Sequence, residues 1–252
     1  MKIKLTLFSF LMLVVGTANA QNWGGGIDDT DLHFGFTFQY ISSEYKLLKK
    51  TDWKESPGYI ADLPEYVPRG LSSIAAKPSA GFGIGFVINQ KILENVDLRL
   101  TPILVFNDRL LTYRFENIPI IAGQPFLEVE KKVQSTLVEF PLGIKLKSNR
   151  RNNFRAYMIG GVKYSTDISS KKKSDNTKVT DPMEMFLNNK KSFLSYEAGL
   201  GMDLYFEYFK MSPELKLSYS FDSVMKREMP HVFSNPIDKL MLRHVTFSLF
   251  FE

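Results

Sequence analysis

The clearest pattern in the chain is an alternation of apolar and polar residues between Leu194 and Phe221. Leu194, Tyr196, Ala198, Leu200, Met202, Leu204 and Phe206 fall on one face, and Ser195, Glu197, Gly199, Gly201, Asp203 and Tyr205 on the other. After a short connection over 207–210 the alternation resumes. Met211, Pro213, Leu215, Leu217, Tyr219 and Phe221 stand against Ser212, Glu214, Lys216, Ser218, Ser220 and Asp222. Side chains alternate faces along a strand, so period two predicts a β-hairpin with one apolar and one polar face. Each arm is longer than an ordinary strand and matches the ~9–11 residues that a tilted strand needs to cross a bilayer. A soluble β-sandwich or lipocalin-like barrel would use the same hairpin, so the choice rests on the rest of the chain.

Six further segments alternate. Leu32–Ile41 sets Leu32, Phe34, Phe36, Phe38 and Tyr40 against His33, Gly35, Thr37 and Gln39; Ala80–Ile88 sets Phe82, Ile84, Phe86 and Ile88 against Gly81, Gly83 and Gly85. Asp97–Phe106 is less clean, because Ile103 and Val105 interrupt its polar face and Pro102 its ladder. Val138–Leu146, Phe154–Ser165 and Leu242–Glu252 complete eight predicted strands. The connections sort by length. Those over 89–96, 148–153 and 207–210 are short; those over 42–79, 107–132, 166–192 and 222–241 are long and polar. Strict alternation of short and long connections is the arrangement of an outer-membrane barrel, with tight periplasmic turns and long extracellular loops. A sandwich has no reason to sort its loops in this way. An even strand count and a last strand closing on Phe251 before Glu252 fit the same reading. The predicted fold is an all-β, eight-stranded antiparallel transmembrane barrel.

The first residues agree with this destination. Lys2 and Lys4, the apolar stretch Leu5–Gly16 and the small residues of Ala18-Asn19-Ala20 predict a signal peptide over 1–20, with Gln21 as the first residue after cleavage. The apolar stretch is shorter than the ~20 residues of a helical span. A short periplasmic segment is expected over 21–31 and the barrel domain over 32–252. There is no cysteine, which excludes lipoprotein anchoring, disulfides and cysteine-ligated metal sites. The net charge of +5 falls to +3 without Lys2 and Lys4, too mild to indicate nucleic acid. The 21 Phe and 11 Tyr suit aromatic girdles at a membrane surface.

Candidate chemistry is sparse. About eight strands enclose only enough room for side chains. The inward set of Arg99, Glu139, Lys145, Glu197, Asp203, Glu214 and Lys216 has mixed sign, which suits a structural ion-pair network and not a conduction path. The inward glycines make room for large facing side chains or let strands bend. Gly81, Gly83 and Gly85 alternate within a strand and precede no helix, so they are not a phosphate loop. His33 is placed at the periplasmic rim, His231 in the last loop and His244 near the outer rim. The best hydrolase constellation, His231 with Asp222 or Ser223, has no diagnostic spacing. No catalytic, cofactor-binding or metal-binding residue is assigned. The Lys171-Lys172-Lys173 run is read as a solvated outer-loop cluster, with contact to anionic lipopolysaccharide or an acidic partner as the alternative. Tyr45, Trp53, Tyr59 and Tyr66 in the largest loop are either partner anchors or the residues that fold that loop onto the rim. Pro102, Pro141 and Pro213 each remove a ladder donor from a central strand, for which the sequence offers no compensation.

Several stretches carry a family resemblance. Val138-Glu139-Phe140-Pro141-Leu142-Gly143-Ile144-Lys145 and Pro213-Glu214-Leu215-Lys216-Leu217-Ser218-Tyr219-Ser220 resemble strands of small outer-membrane barrels of Bacteroidetes. Asn152–Tyr157, Gly160–Ser165, Ser170–Lys173, Phe233–Asp238 and Phe247–Glu252 resemble the PorT family more specifically. The resemblance covers essentially all of the chain beyond the signal peptide. Phe140 replaces the family's isoleucine, and Phe221 stands where its glycine is expected. The resemblance implies a non-enzymatic outer-membrane component with an accessory or assembly role in type IX protein export, and in gliding motility where present. It implies outer-membrane lipids and other type IX secretion proteins as partners, and no cofactor. A structural or adhesion barrel and, further off, a small membrane enzyme are the alternatives.

Overall fold

The alternation builds a closed ring. The computed structural model describes residues 30–55, 70–116, 127–169, 176, 179–227 and 231–252. The signal peptide, nearly all of the segment 21–31, Tyr59, Tyr66 and Lys171–Lys173 lie outside these residues. Twelve strands follow in chain order: β1 (Leu32–Lys49), β2 (Gly70–Lys77), β3 (Ser79–Leu93), β4 (Val96–Leu100), β5 (Ile103–Phe106), β6 (Arg109–Glu116), β7 (Leu127–Val133), β8 (Thr136–Lys147), β9 (Phe154–Asp167), β10 (Ser192–Tyr205), β11 (Lys210–Ser220) and β12 (Ile237–Phe251). The ring runs β1-β12-β11-β10-β9-β8, then through β4 and β5 to β3, and closes by β3 pairing with β1. All these pairs are antiparallel. Because β4 and β5 are two halves of one stave, the barrel has eight staves. Closure leaves no free edge among them, which is what a sheet in lipid requires.

The apolar face points outward. Phe34, Phe36, Phe38, Tyr40, Phe82, Phe86, Leu200 and Leu217 are exposed on the wall, and their polar neighbours fill the interior. Aromatics ring the outer end of this band at Tyr40, Phe82, Phe106, Tyr164, Tyr196 and Phe221. Phe82 stacks on Phe106 at 5.0 Å and Tyr196 on Tyr219 at 5.9 Å, which fixes part of that ring.

The strands do not stop where the apolar band stops. On β1 the outward positions change from Phe38 and Tyr40 to Ser42, Glu44 and Lys46, while the inward ones change from Thr37 and Gln39 to Ile41 and Tyr45. On β12 the outward residues change from Phe247 and Val245 to Arg243, and the inward ones from Ser248 and Thr246 to Leu242 and Leu240. The two inversions meet in register, since Tyr40 pairs with Phe247, Ser42 with Val245 and Glu44 with Arg243. The alternation keeps its period and changes its phase at the level where the outer surface passes from lipid to water. Ending the first strand at Ile41 and starting the last at Leu242 is therefore corrected to Lys49 and Ile237.

The same correction applies to two of the long connections. The segments 42–79 and 107–132 contain β2, β6 and β7, which form a separate three-stranded antiparallel sheet in the order β2-β6-β7. These strands continue three neighbouring staves past breaks at Pro78, Asn107–Asp108 and Gln134–Ser135. Their inward residues Leu71, Ile74, Leu111, Tyr113, Phe115 and Val133 pack with Tyr45, Leu240 and Leu242 of the extended β1 and β12. Leu187, Val224, Met225, Val232 and Phe233 from the remaining connections complete this core. The long connections thus build a water-facing cap with its own apolar interior on the end of the barrel away from the short turns.

The three prolines sit at interruptions of the ladder. Leu100 pairs with Leu142 and Ile103 with Glu139, so Thr101 lies opposite Pro141 and Pro102 opposite Phe140 with no slip in register. The Thr101 N–H donates to the Pro141 carbonyl at 3.0 Å and the Phe86 N–H to the Pro102 carbonyl at 3.0 Å. Each proline forfeits only the return bond of its pair. Around Pro213 the β10–β11 ladder skips from Gly201–Glu214 to Leu204–Met211. Of the two skipped pairs, Asp203 opposite Ser212 is bridged by side chains, with Ser212 Oγ donating to Asp203 Oδ1 at 2.6 Å.

Candidate functional site, a packed lumen under an extracellular cap

Inward polar positions on eight staves place charges opposite one another across a narrow bore. All seven sequence-predicted lumenal residues are buried there: Arg99 on β4, Glu139 and Lys145 on β8, Glu197 and Asp203 on β10, and Glu214 and Lys216 on β11. Arg99 donates to Glu214 at 3.1 Å and to Glu252 at 3.5 Å, with its guanidinium 4.6 Å from the Phe250 ring centroid. Lys145 Nζ lies 2.8 Å from both carboxylate oxygens of Asp203. Lys216 pairs with Glu197 at 2.9 Å and Glu214 at 3.4 Å. Tyr157 donates to Glu214 at 2.9 Å, and its ring covers Lys145.

The structure adds five charged residues to this set. Lys163 bridges to Glu139 at 2.9 Å, Lys147 to Asp97 at 2.6 Å, and Lys210 to the Glu252 carboxylate. Four of them lie at strand ends or beyond a strand, and Lys163 lies on the strand with the weakest alternation, so period alone did not mark them. Among the described residues these pairs join six cations, Arg99, Lys145, Lys147, Lys163, Lys210 and Lys216, to six anions, Asp97, Glu139, Glu197, Asp203, Glu214 and Glu252. Buried charges persist when each is paired and hydrogen-bonded, and here the sums cancel. The arrangement is a neutral lattice tying β3, β4, β8, β9, β10, β11 and β12 together, with Asn89 of β3 donating to Asp97 at 2.9 Å.

Above part of this lattice the bore is apolar. Ile41, Ile103, Val105 and Leu137 form a second buried cluster, against which Phe193 packs. This explains the two apolar residues that interrupt the polar face of the third stave. It also explains Gly83: a Cβ there would lie 3.1 Å from Ile103 Cγ2 and 3.4 Å from Val105 Cγ2. Gly201 performs the same service lower down, where a Cβ would lie 2.4 Å from the Tyr157 ring. Packed side chains, and not an aqueous channel, occupy these levels of the lumen.

The histidines do not assemble a hydrolytic site. His231 is buried in the cap, not at a rim; its Nδ1 accepts the backbone N–H groups of Phe233 at 3.2 Å and Ser234 at 3.1 Å, and its Nε2 faces the Phe186 carbonyl at 2.9 Å. Acceptance at Nδ1 makes Nε2 the protonated nitrogen, so both ring nitrogens are committed to backbone. Asp222 is instead beside Lys190 at 3.4 Å, and Ser223 Oγ accepts from the Leu240 N–H at 3.1 Å. His244, expected near the outer rim, is an inward residue of β12 that is 2 % exposed and lies 3.2 Å from Lys163 Nζ. His33 remains at the periplasmic end, with Thr30 Oγ1 at 3.4 Å. Among the described residues, no group of three or more acidic or histidine side chains is placed to hold a metal ion.

Of the four loop aromatics, the two described ones, Tyr45 and Trp53, follow the loop-folding reading. Tyr45 is 3 % exposed, belongs to the cap core, and accepts a hydrogen bond from Asn189 Nδ2 at 2.6 Å, so it presents no surface to a partner. Trp53 packs against the same core with Lys49 Nζ 4.1 Å from its ring centroid. These two residues fold their segment onto the barrel. In the cap sheet, Lys131 donates to the Met183 carbonyl at 2.6 Å over the Phe233 ring, and burial pushes its ammonium down to about 8. Tyr113 donates to the Phe233 carbonyl at 2.8 Å, and burial raises its phenol well above the usual range.

The outer membrane protein beta-barrel domain family matches residues 19–226. No curated protein matches the chain. Among solved structures, the outer membrane protein OprG from Pseudomonas aeruginosa is similar at 12 % identity and a TM-score of 0.41, covering 87 % of this chain and 93 % of its own. Neisserial surface protein A is similar at 8 % identity and a TM-score of 0.37, covering 88 % and 98 %. Ail of Yersinia pestis, in complex with the heparin analogue sucrose octasulfate, is similar at 10 % identity and a TM-score of 0.34, covering 88 % and 99 %. With the closed eight-stave ring, its apolar outer wall and a family match over most of its length, this chain is an integral outer-membrane protein and belongs to the outer membrane protein beta-barrel domain family.

Proposed function

We propose that this protein is a non-enzymatic component of the type IX secretion machinery that works by contact, through its cap and barrel wall, and not as a conduit. The observation that carries the first half of this reading is the filled lumen: a neutral twelve-charge lattice with an apolar cluster above it. A protein substrate has no path through such a bore without dismantling the ion pairs that hold the staves together. The cap, by contrast, is a folded body that offers charged outward residues, among them Lys77 with Glu130 at 3.3 Å and Lys132 with Asp108 at 2.7 Å. The assignment to type IX export rests on the sequence resemblance to the PorT family, which spans the barrel strands and the connection around Phe233-Ser234-Asn235-Pro236. In this reading the partners are outer-membrane lipids around the wall and other export components at the cap.

The test is deletion of the gene followed by an assay of type IX cargo at the cell surface, with affinity purification of the native protein from outer membranes in mild detergent. Loss of export, restored by the wild-type gene, together with stoichiometric co-purification of export components supports the proposal. Unimpaired export and a clean monomer would refute it and leave a structural or adhesion barrel.

A further inference from the structure

Arg109 stands outside the balanced lattice. It opens β6 at the junction of lumen and cap, is 1 % exposed, and shares the inward face with Leu111, Tyr113 and Phe115. Among the described residues, no carboxylate hydrogen-bonds to its Nε, Nη1 or Nη2. Arginine does not discharge itself by losing a proton, so its burial calls for a negative partner. The nearby carboxylates are engaged elsewhere. Glu139 accepts from Lys163 at 2.9 Å and Ser165 at 3.1 Å, while Asp167 accepts from Ser135 at 3.0 Å and Ser169 at 2.6 Å.

Two more donors with a vacant bond lie in the same layer. Tyr45 stands beside Arg109: two residues before each, Ser43 Oγ donates to Asn107 Oδ1 at 2.5 Å, and the Tyr45 oxygen is within hydrogen-bonding reach of the guanidinium. Its oxygen accepts from Asn189 at 2.6 Å, which leaves the hydroxyl proton for another acceptor. His244 lies at the same level, paired in register with Ser43, which bonds Asn107 two residues before Arg109. Lysine only donates, so Lys163 at 3.2 Å makes His244 Nδ1 the acceptor and Nε2 the N–H, and that Nε2 is buried with no partner. A buried guanidinium, a phenol and an imidazole N–H thus present donors that no anionic group meets.

The geometry points to an internal site for a small inorganic anion, held by Arg109 with Tyr45 Oη and His244 Nε2, at the seam between cap and barrel. Arg109 belongs to the cap sheet, whereas Tyr45 and His244 belong to the barrel staves β1 and β12. An anion bonded to all three ties the two bodies together. The site is independent of the assignment to protein export.

Bromide is the probe. The full-length protein, purified in detergent, is crystallised with sodium bromide and measured at the bromine absorption edge. In parallel its thermal unfolding is followed while bromide replaces gluconate at constant ionic strength. The expected result is an anomalous peak within bonding distance of the Arg109 guanidinium and a melting temperature that climbs with bromide. Tyr45→Phe keeps the packing and is expected to raise the half-saturating bromide concentration about tenfold, the usual weight of a hydrogen bond to a charged group. Arg109→Met is expected to abolish the bromide dependence. No peak at Arg109, or a melting temperature indifferent to bromide in the wild type, overturns the proposal. A peak without stabilisation, an adventitious ion only, overturns it as well. If Arg109→Met fails to fold, an unchanged half-saturation in Tyr45→Phe still refutes the site.

Discussion

Leu200 and Leu48 are both outward leucines on staves of the same barrel, exposed by 65 % and 45 %. They differ in which side of the phase inversion they occupy. Leu200 lies mid-strand on β10, paired with Met158 and Leu215 and surrounded by apolar outward residues. Leu48 lies past Ser42, Glu44 and Lys46 near the end of β1, opposite Lys239. If the inversion marks the edge of the hydrocarbon, one change has two costs. Arginine on the lipid face near the midplane of a barrel costs about 2–4 kcal/mol, falling to about 0–1 kcal/mol near the interface. Leu200→Arg is therefore expected to lower the folded-to-unfolded ratio about 30- to 900-fold, since each ~1.4 kcal/mol is a factor of ten. Leu48→Arg, facing water, is expected within about 0.5 kcal/mol of wild type, as for ordinary surface substitutions. The assay is reversible urea unfolding in phospholipid vesicles, with the folded fraction read from the mobility of the unheated barrel on gels. Equal costs at the two positions would refute the inversion as the membrane boundary, and near-zero costs at both would refute the lipid-facing wall itself.

Other expectations follow from the lumen and cap. Lys145→Met removes the ion pair of the Asp203 carboxylate, which keeps the Ser212 hydrogen bond and the more distant charges of Lys210 and Arg99. It should destabilise by about 3–5 kcal/mol in the same unfolding assay, and Lys145→Met with Asp203→Leu should recover most of that loss. The folded pKa of Lys131, about 8, lies below its ordinary value of 10.5, so the unfolded chain binds more protons between them and cap stability should rise with pH across that window. Melting temperatures from pH 7 to 10 should show the rise in wild type and a flatter profile in Lys131→Met. His231→Ala removes the acceptor of two buried N–H groups and a partner of the Phe186 carbonyl, and should cost about 1–3 kcal/mol by thermal melting. Export measured in a strain carrying His231→Ala with His244→Gln should persist to the extent that folded protein reaches the membrane; complete loss at normal abundance would restore the enzyme alternative.

The barrel was legible because its instruction is local. Within the apolar band each residue's neighbours at i±2 share its solvent, so an alternating stretch such as Leu194–Leu204 identifies strand, face and register parity together. Short and long connections then gave the sense of insertion. The cap was present in the sequence too, in Glu128-Val129-Glu130-Lys131-Lys132-Val133 and in Leu111, Tyr113 and Phe115, but with its phase reversed. A reading that treats alternation as apolar-outward sees a loop there. Following β1 through Ile41 and Tyr45 would have exposed the change of phase.

By itself the sequence determined the eight staves, the identity of the lipid-facing side chains and the mixed-sign character of the interior, because each follows from period, length and residue type. Only the tertiary structure decided which charge meets which. Arg99 and Glu214 are 115 positions apart, and their pairing depends on stave order and stagger that no local pattern records. It likewise decided that Pro102 and Pro141 share one interruption, that Tyr45 is core and not surface, and that, among the described residues, no carboxylate pairs with the buried Arg109. Pairing is a property of two positions brought together by closure of the ring, whereas alternation is a property of one strand.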